Sequence, residues 1–132
     1  MKYKIRATTT DAIILKGNKI LLIKRRNNPS KGMWALPGGY VDFDETIEYA
    51  CKREVKEETG LSVKKLRLFG VYSDPNKNPR QTVTITYIAS CTGHVKVEDD
   101  AADARWFPLN KLPKLAFDHA QMVRDYKKSR TN

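Results

Sequence analysis

Residues 39–61 read GYVDFDETIEYACKREVKEETGL, and within them Glu54, Glu57 and Glu58 stand three and four positions apart. A helix turns by about 100° per residue, so side chains at those spacings share one face. Like charges so placed repel by roughly 0.2–0.5 kcal/mol per exposed pair, and burial makes the repulsion worse. Arg53 adjoins the stripe, but one guanidinium does not balance three carboxylates. Taken alone, the stripe fits a solvated acidic helix paired to Lys52 and Lys56. A hard dication is what would balance all three. Mg²⁺ takes oxygen ligands at about 2.0–2.1 Å and often joins protein carboxylates to substrate phosphates.

The ends of this helix are legible. Asp44 and Thr46 are both N-cap residues by type, and Glu45 suits the positive end of the helix dipole. Ile47, Cys51 and Val55 step by four along an adjacent apolar face that can dock on a sheet. Gly60 stands where a left-handed residue ends a helix. Pro37-Gly38-Gly39 reads as a loop without side chains, where backbone can approach metal or phosphate.

A length of 132 residues predicts one domain, spanning 1–132, with a substantial core. No aliphatic run exceeds that of Ile20 to Ile23, so no membrane span is expected. The N-terminus MKYKIRATTT lacks an apolar segment, so no signal peptide is expected. Cys51 and Cys91 have no CxxC partner and read as reduced thiols, which points to a cytoplasmic protein. The net charge of +10 is unevenly spread: residues 1–32 carry +8, residues 33–110 carry −2 and residues 111–132 carry +4. Such a surface steers polyanions and equally serves solubility. No aromatic row interleaves with Lys and Arg, so no nucleic-acid partner is expected.

Strands are predicted over residues 4–15 and 19–24, joined by a Lys16-Gly17-Asn18 hairpin turn. A short strand is predicted over 33–36 and longer ones over 62–73 and 81–90. The last is rich in β-branched residues. Residues 74–79 and 99–103 read as loops, 104–107 as a short strand and 116–126 as a second helix. The tail, 127–132, reads as frayed. Strands, helix, strands, helix is an α+β order with a mixed sheet between helices.

The spacing Gly39, Glu45, Arg53-Glu54, Glu57-Glu58, Gly60, with Val55 and Leu61 in its aliphatic slots, is that of the complete Nudix box. The chain resembles the Nudix hydrolases, which cleave a nucleoside diphosphate linked to another moiety. The resemblance spans essentially the whole chain. It implies an α/β/α sandwich and Mg²⁺, or Mn²⁺, as cofactor. It also implies Glu54 and Glu58 as metal ligands, Glu57 as a third ligand or a base, and the Gly38 carbonyl as a further donor. Arg53 would orient a glutamate, Glu57 or Glu45. In many relatives a further acid comes from a late loop; Glu98, Asp99, Asp100 and Asp103 are the candidates here, with Asp103 first.

Two segments resemble the ADP-ribose pyrophosphatase branch. One is Tyr72-Ser73-Asp74-Pro75-Asn76-Lys77-Asn78-Pro79-Arg80; the other is Leu115 to Ala120. The branch runs SDPxRDPRxH, and Lys77, Asn78 and Thr82 replace its Arg, Asp and His. The resemblance implies hydrolysis of ADP-ribose to AMP and ribose 5-phosphate, with Arg80 and basic residues of the first strands gripping phosphate or ribose. Pro75 either shapes a loop or contacts substrate, and Asp118 either caps the last helix or contacts substrate. Trp34 and Phe117 either stack on adenine or fill core. His119 reads as structural and His94 as turn surface. The alternatives are another Nudix nucleotide diphosphatase, acting on an oxidised nucleotide, a dinucleoside polyphosphate, NADH or an RNA 5′ end, and a non-catalytic ADP-ribose sensor. The family also implies a homodimer.

Overall fold

The computed structural model describes residues 3–97 and 101–130. A hairpin opens it: β1 (Thr8–Lys16) and β2 (Lys19–Arg25) pair antiparallel around the predicted turn. Then come β3 (Trp34–Ala35), β4 (Gly38–Tyr40) and α1 (Ile47–Thr59). β5 (Ser62–Tyr72), β6 (Val83–Thr92), β7 (Ala101–Pro108) and α2 (His119–Arg130) complete the fold. The strands form one mixed sheet of order β3-β2-β1-β6-β5, with β4 added to β1 and β7 to β2. β1 runs parallel to β6 and antiparallel to its other partners, so the expected mixed sheet is present.

The period-two alternation of β1 and β2 assigns the two faces. Ala12, Ile14 and Leu21 pack with Cys51 and Val55 of α1. Ile13, Ile20 and Leu22 pack with Met122, Val123 and Tyr126 of α2. The helices therefore cover opposite faces, which gives the α/β/α layering. All eleven of these residues except Tyr126 are less than 5 % exposed. Among the described residues no helix is long and apolar enough to cross a membrane.

Several boundaries differ from expectation, each for a local reason. Residues 38 and 39, expected as loop, are strand: they pair with Asp11 and Thr10, because residues without side chains can lie flat against β1. Residues 101–103, expected as loop, belong to β7, which pairs with β2 around a bulge at Lys24/Arg25. α2 begins at His119 rather than Ala116, since Phe117 takes a left-handed φ of 55°, and it continues to Arg130, into the tail expected to fray. Of the two N-cap candidates, Thr46 is the cap, its side chain accepting from the Tyr49 N–H; Asp44 sits at φ 68°.

Gly60 ends α1 at φ 78°, with its N–H on the Lys56 carbonyl. A Cβ there would also lie 3.0 Å from the Lys96 carbonyl oxygen. Left-handed backbone costs a non-glycine residue about 1–2 kcal/mol. Gly60→Ala is expected to lower unfolding free energy by at least about 1 kcal/mol in a urea titration, with m unchanged. An unchanged midpoint would show that the turn relaxes freely.

Candidate active site

The acidic stripe of α1 is organised by Arg53. Its Nε and Nη2 donate to both oxygens of Glu45, at 2.6 and 2.9 Å. Its Nη1 donates to Glu54 at 2.7 Å and to Glu57 at 3.2 Å, and Nη2 reaches the Tyr40 carbonyl at 3.2 Å. The planar fork of arginine suits such multiple recognition. Its hydrogen bonds hold the Glu45 carboxyl below the usual range, and Glu45 in return raises Arg53 further. Both glutamates expected as partners of Arg53 are therefore in contact with it.

Glu58 behaves differently. It is buried, and its Oε1 accepts the Gly38 N–H at 2.7 Å. The glycines make this approach possible. A Cβ on Gly38 would collide with the Thr10 carbonyl oxygen and the Asp11 carboxylate, and one on Gly39 would lie 2.5 Å from the Glu54 carboxyl carbon. Hard oxygen donors of high negative charge thus gather around β4, the donor set that divalent Mg²⁺ or Mn²⁺ prefers. Among the described residues, no three Asp, Glu, His or Cys side chains converge on one point. Arg53 draws Glu54 and Glu57 while Glu58 turns to Gly38, so an incoming dication would compete with Arg53 for carboxylate oxygens.

On the α2 side of the sheet a cavity of about 150 Å³ adjoins this region. Small-molecule pockets usually span roughly 300–1,000 Å³, so this one takes a single group of a larger ligand. Glu58, Gly38 and Gly39 line it together with Asp11, Arg25 and Arg80. Phe117 forms part of the wall, with the Arg80 guanidinium 3.6 Å and that of Arg25 4.8 Å from its ring centroid. Burial first, and then the neighbouring Arg80, lowers Arg25. Two cations beside one ring form a local anion-attracting wall facing the carboxylates.

Asp11 and His119 close the floor. The Leu36 N–H donates to His119 Nδ1 at 3.0 Å, which puts the proton of a neutral imidazole on Nε2. That atom lies 3.1 Å from Asp11 Oδ2, though off the alignment of a hydrogen bond. The distance supports an electrostatic contact between the two buried groups, and the structural reading of His119 agrees with it.

The other expected residues are dispersed. Trp34 is half-buried, packs edge-on against Phe107 at 4.8 Å and against the α2-side core, and does not line the cavity. Pro75 is exposed in its loop and does not line the cavity. Asp103 is a correction to the late-loop expectation: it sits in β7 opposite Lys24, accepting from the Ala104 N–H and the Arg105 guanidinium, both at 2.8 Å. Glu98, Asp99 and Asp100 lie outside the described residues. Sequence reasoning did not single out Asp11 or Arg25. The signal available was a charged residue within an apolar strand for Asp11, and the basic end of β2 for Arg25.

The NUDIX domain pattern matches residues 5–126. A Methanocaldococcus jannaschii protein named ADP-ribose pyrophosphatase is 54% identical over 122 residues, covering 91% of this chain and 72% of that protein. The NAD-capped RNA hydrolase NudC of Haemophilus influenzae is 38% identical over 108 residues, and the match spans 76% of this chain but 40% of NudC. Among solved structures, the NUDIX domain of Shewanella oneidensis NrtR complexed with ADP ribose superposes with a TM-score of 0.87 at 28% identity. It covers 98% of this chain and 91% of that one.

Asp118 adjoins this cavity's floor residue His119. It is buried, its Oδ1 lacks a hydrogen-bond partner among the described residues, and burial raises its carboxyl above the usual range. Below the unfolded-state pKa both states are protonated and the shift contributes nothing. As pH rises past that value, ionisation costs the folded state more than the unfolded state. Asp118→Asn is therefore expected to raise the melting temperature at about pH 7 and to lose that advantage near about pH 3. A gain that is the same at both pH values would refute the burial cost.

Proposed function

The chain belongs to the NUDIX family, and on that premise we propose that it hydrolyses the pyrophosphate bond of ADP-ribose to AMP and ribose 5-phosphate. The observation that carries this reading is that Glu58, Gly38 and Gly39 line one cavity with Arg25, Arg80 and Phe117. Carboxylates that suit a dication thus lie beside cations that suit a phosphate-linked sugar or nucleotide. The 54% identical ADP-ribose pyrophosphatase supports the substrate, as does the ADP-ribose-bound NUDIX domain.

Glu54 and Glu58, with the Gly38 carbonyl, would hold the divalent ion, for which Mg²⁺ is the choice and Mn²⁺ the alternative. When bound, such an ion offsets the diphosphate charge and makes the attacked phosphorus more electrophilic. Glu57 is the proton acceptor: its side chain is 41% exposed, the most open of the glutamates that Arg53 contacts. Water adds its oxygen to phosphorus, a phosphorus–oxygen bond of the anhydride breaks, and the water proton passes to Glu57 and then to solvent. Arg53 keeps Glu57 aimed, and Arg80 holds the phosphate or the terminal ribose by charge-assisted hydrogen bonds. Phe117 packs against both guanidiniums and so sets them on the cavity wall.

Glu57→Gln and Glu58→Gln are each expected to lower kcat by at least about 10²-fold with the far-ultraviolet circular dichroism unchanged. Asp103→Asn, with its oxygens engaged within β7, is expected to cost less than Glu57→Gln. Turnover near that of the wild type in both glutamate variants at saturating Mg²⁺ would remove the metal-site reading.

In a substrate panel ADP-ribose is expected to exceed 8-oxo-dGTP, diadenosine polyphosphates and NADH by at least about tenfold in kcat/KM, a margin of about 1.4 kcal/mol. Chromatography should show AMP and ribose 5-phosphate appearing together. Faster cleavage of NADH or of an RNA cap would place the activity with that of the NudC relatives. Binding of ADP-ribose without cleavage would make the protein a sensor.

A further inference from the structure

We propose that Asn78 is a positioning residue that sets substrate affinity through Arg80, a proposal that rests on the reading of Arg80 as a substrate contact. Asn78 is 2% exposed although its immediate neighbours, Lys77 and Pro79, are exposed. A buried amide is costly unless its polar atoms are paired. Here the pairing falls on the residues that flank and form the Arg80 turn. Asn78 Oδ1 accepts the Arg80 N–H at 3.0 Å and lies 3.5 Å from Arg80 Nε. Its carbonyl accepts the Gln81 N–H at 2.8 Å. Its Nδ2 donates to Thr82 Oγ1 at 3.1 Å.

From Thr82 the contacts continue into the sheet. Thr82 and Thr84 hydroxyls lie 3.2 Å apart, and those of Thr84 and Thr9 lie 2.7 Å apart. Thr9, Thr82 and Thr84 are each at most 2% exposed, and Thr9 lines the cavity. Arg6 adds a strap from outside, donating to the Ser73 carbonyl at 2.6 Å and to that of Gln81 at 2.7 Å, at the two ends of the loop. Gln81 itself is held at φ 52°. The loop is thus anchored on both sides of Arg80, and the guanidinium rests over Phe117 instead of sweeping through solvent. An unanchored arginine would lose side-chain entropy on binding substrate, a cost that preorganisation removes in advance.

The chain's departures from the SDPxRDPRxH pattern gain a physical meaning. Asn78 and Thr82 replace its Asp and His, and these two replacements touch each other. They form a matched pair that holds the loop by its own hydrogen bond.

The test is a set of variants assayed with ADP-ribose and with a diadenosine polyphosphate. Asn78→Leu, near in volume but without polar atoms, is expected to raise KM for ADP-ribose by about tenfold with kcat within about twofold. It should shift selectivity in the same direction as Arg80→Ala. Asn78→Asp keeps the Oδ1 acceptor and lets the Thr82 hydroxyl donate, so it should recover most of the affinity lost in Asn78→Leu. Adding Asn78→Leu to Arg80→Ala should bring no further rise, because the two act through one group. If Asn78→Leu does not fold, Thr82→Val removes one link of the chain and is read for the same change in KM. A raised KM in Arg80→Ala beside an unchanged KM in folded Asn78→Leu or Thr82→Val overturns the positioning role and leaves the Arg80 reading intact. So does full additivity. An unchanged KM in Arg80→Ala itself overturns both.

Discussion

The hydrogen bond from the Gly38 N–H to the Glu58 carboxylate, at 2.7 Å, is where the two sides of the sheet meet. It needs a strand without side chains at this point, since a Cβ on Gly38 would enter the Thr10 carbonyl and the Asp11 carboxylate. It also needs α1 to bury its last acid against that strand, which the apolar step Cys51 and Val55 arranges by docking on β1 and β2. Beyond Gly38 the contacts pass to Asp11, then to His119 at the start of α2, and then through the Leu36 N–H back to the segment before the glycines. Helices on opposite faces are thereby tied through one backbone position. An acid that belongs to the α1 layer can consequently reach a cavity on the α2 side.

Charge is partitioned on the same plan. Arg53 holds Glu45, Glu54 and Glu57 together, which removes much of the repulsion the stripe would otherwise carry. Arg25 and Arg80 are placed on the far side of the cavity against Phe117, where each loses some hydration. Glu58 and Asp11 therefore line the same small cavity as the two guanidiniums. On the reading proposed above, a ligand carrying both phosphate and sugar would meet cations and carboxylates in one cavity, and Glu54 and Glu58 would hold a dication beside it. The +10 net charge steers such a ligand from a distance, within a Debye length of about 10 Å at moderate salt.

The box and its helix were legible in sequence because their signal is local: spacing on one helix decides which carboxylates share a face. The layering was legible too, since the order strands, helix, strands, helix and the family resemblance both placed a mixed sheet between helices. What escaped was set by contacts distant in sequence. Gly38 and Gly39 resemble a loop by composition, and become strand only because β1 offers an edge. Asp103 resembles a loop acid, and becomes a strand residue because β2 pairs past its own bulge. Arg25 carries only the weak mark of a basic end to β2; it reaches the site because Phe117, 92 positions later, turns its ring there. The Asn78–Thr82 contact lay within a short segment, yet a motif comparison scores each position alone and misses two changes that compensate.

Left-handed backbone at residues other than glycine adds a final constraint. Phe117 and Gln81 both adopt it, at φ 55° and 52°. One carries the ring under Arg80, and the other follows Arg80 directly. Such conformations cost roughly 1–3 kcal/mol each and persist where surrounding contacts over-determine them. Those contacts are present: Arg6 and the Asn78 carbonyl hold Gln81, while Phe117 packs against both arginines and beside His119. A chain selected for stability alone would relax both residues by placing glycine there. Glycine at 117 would remove the ring, and glycine at 81 would free the loop that aims Arg80. The strain is thus the counterpart of an arginine held ready over an aromatic face before any ligand arrives.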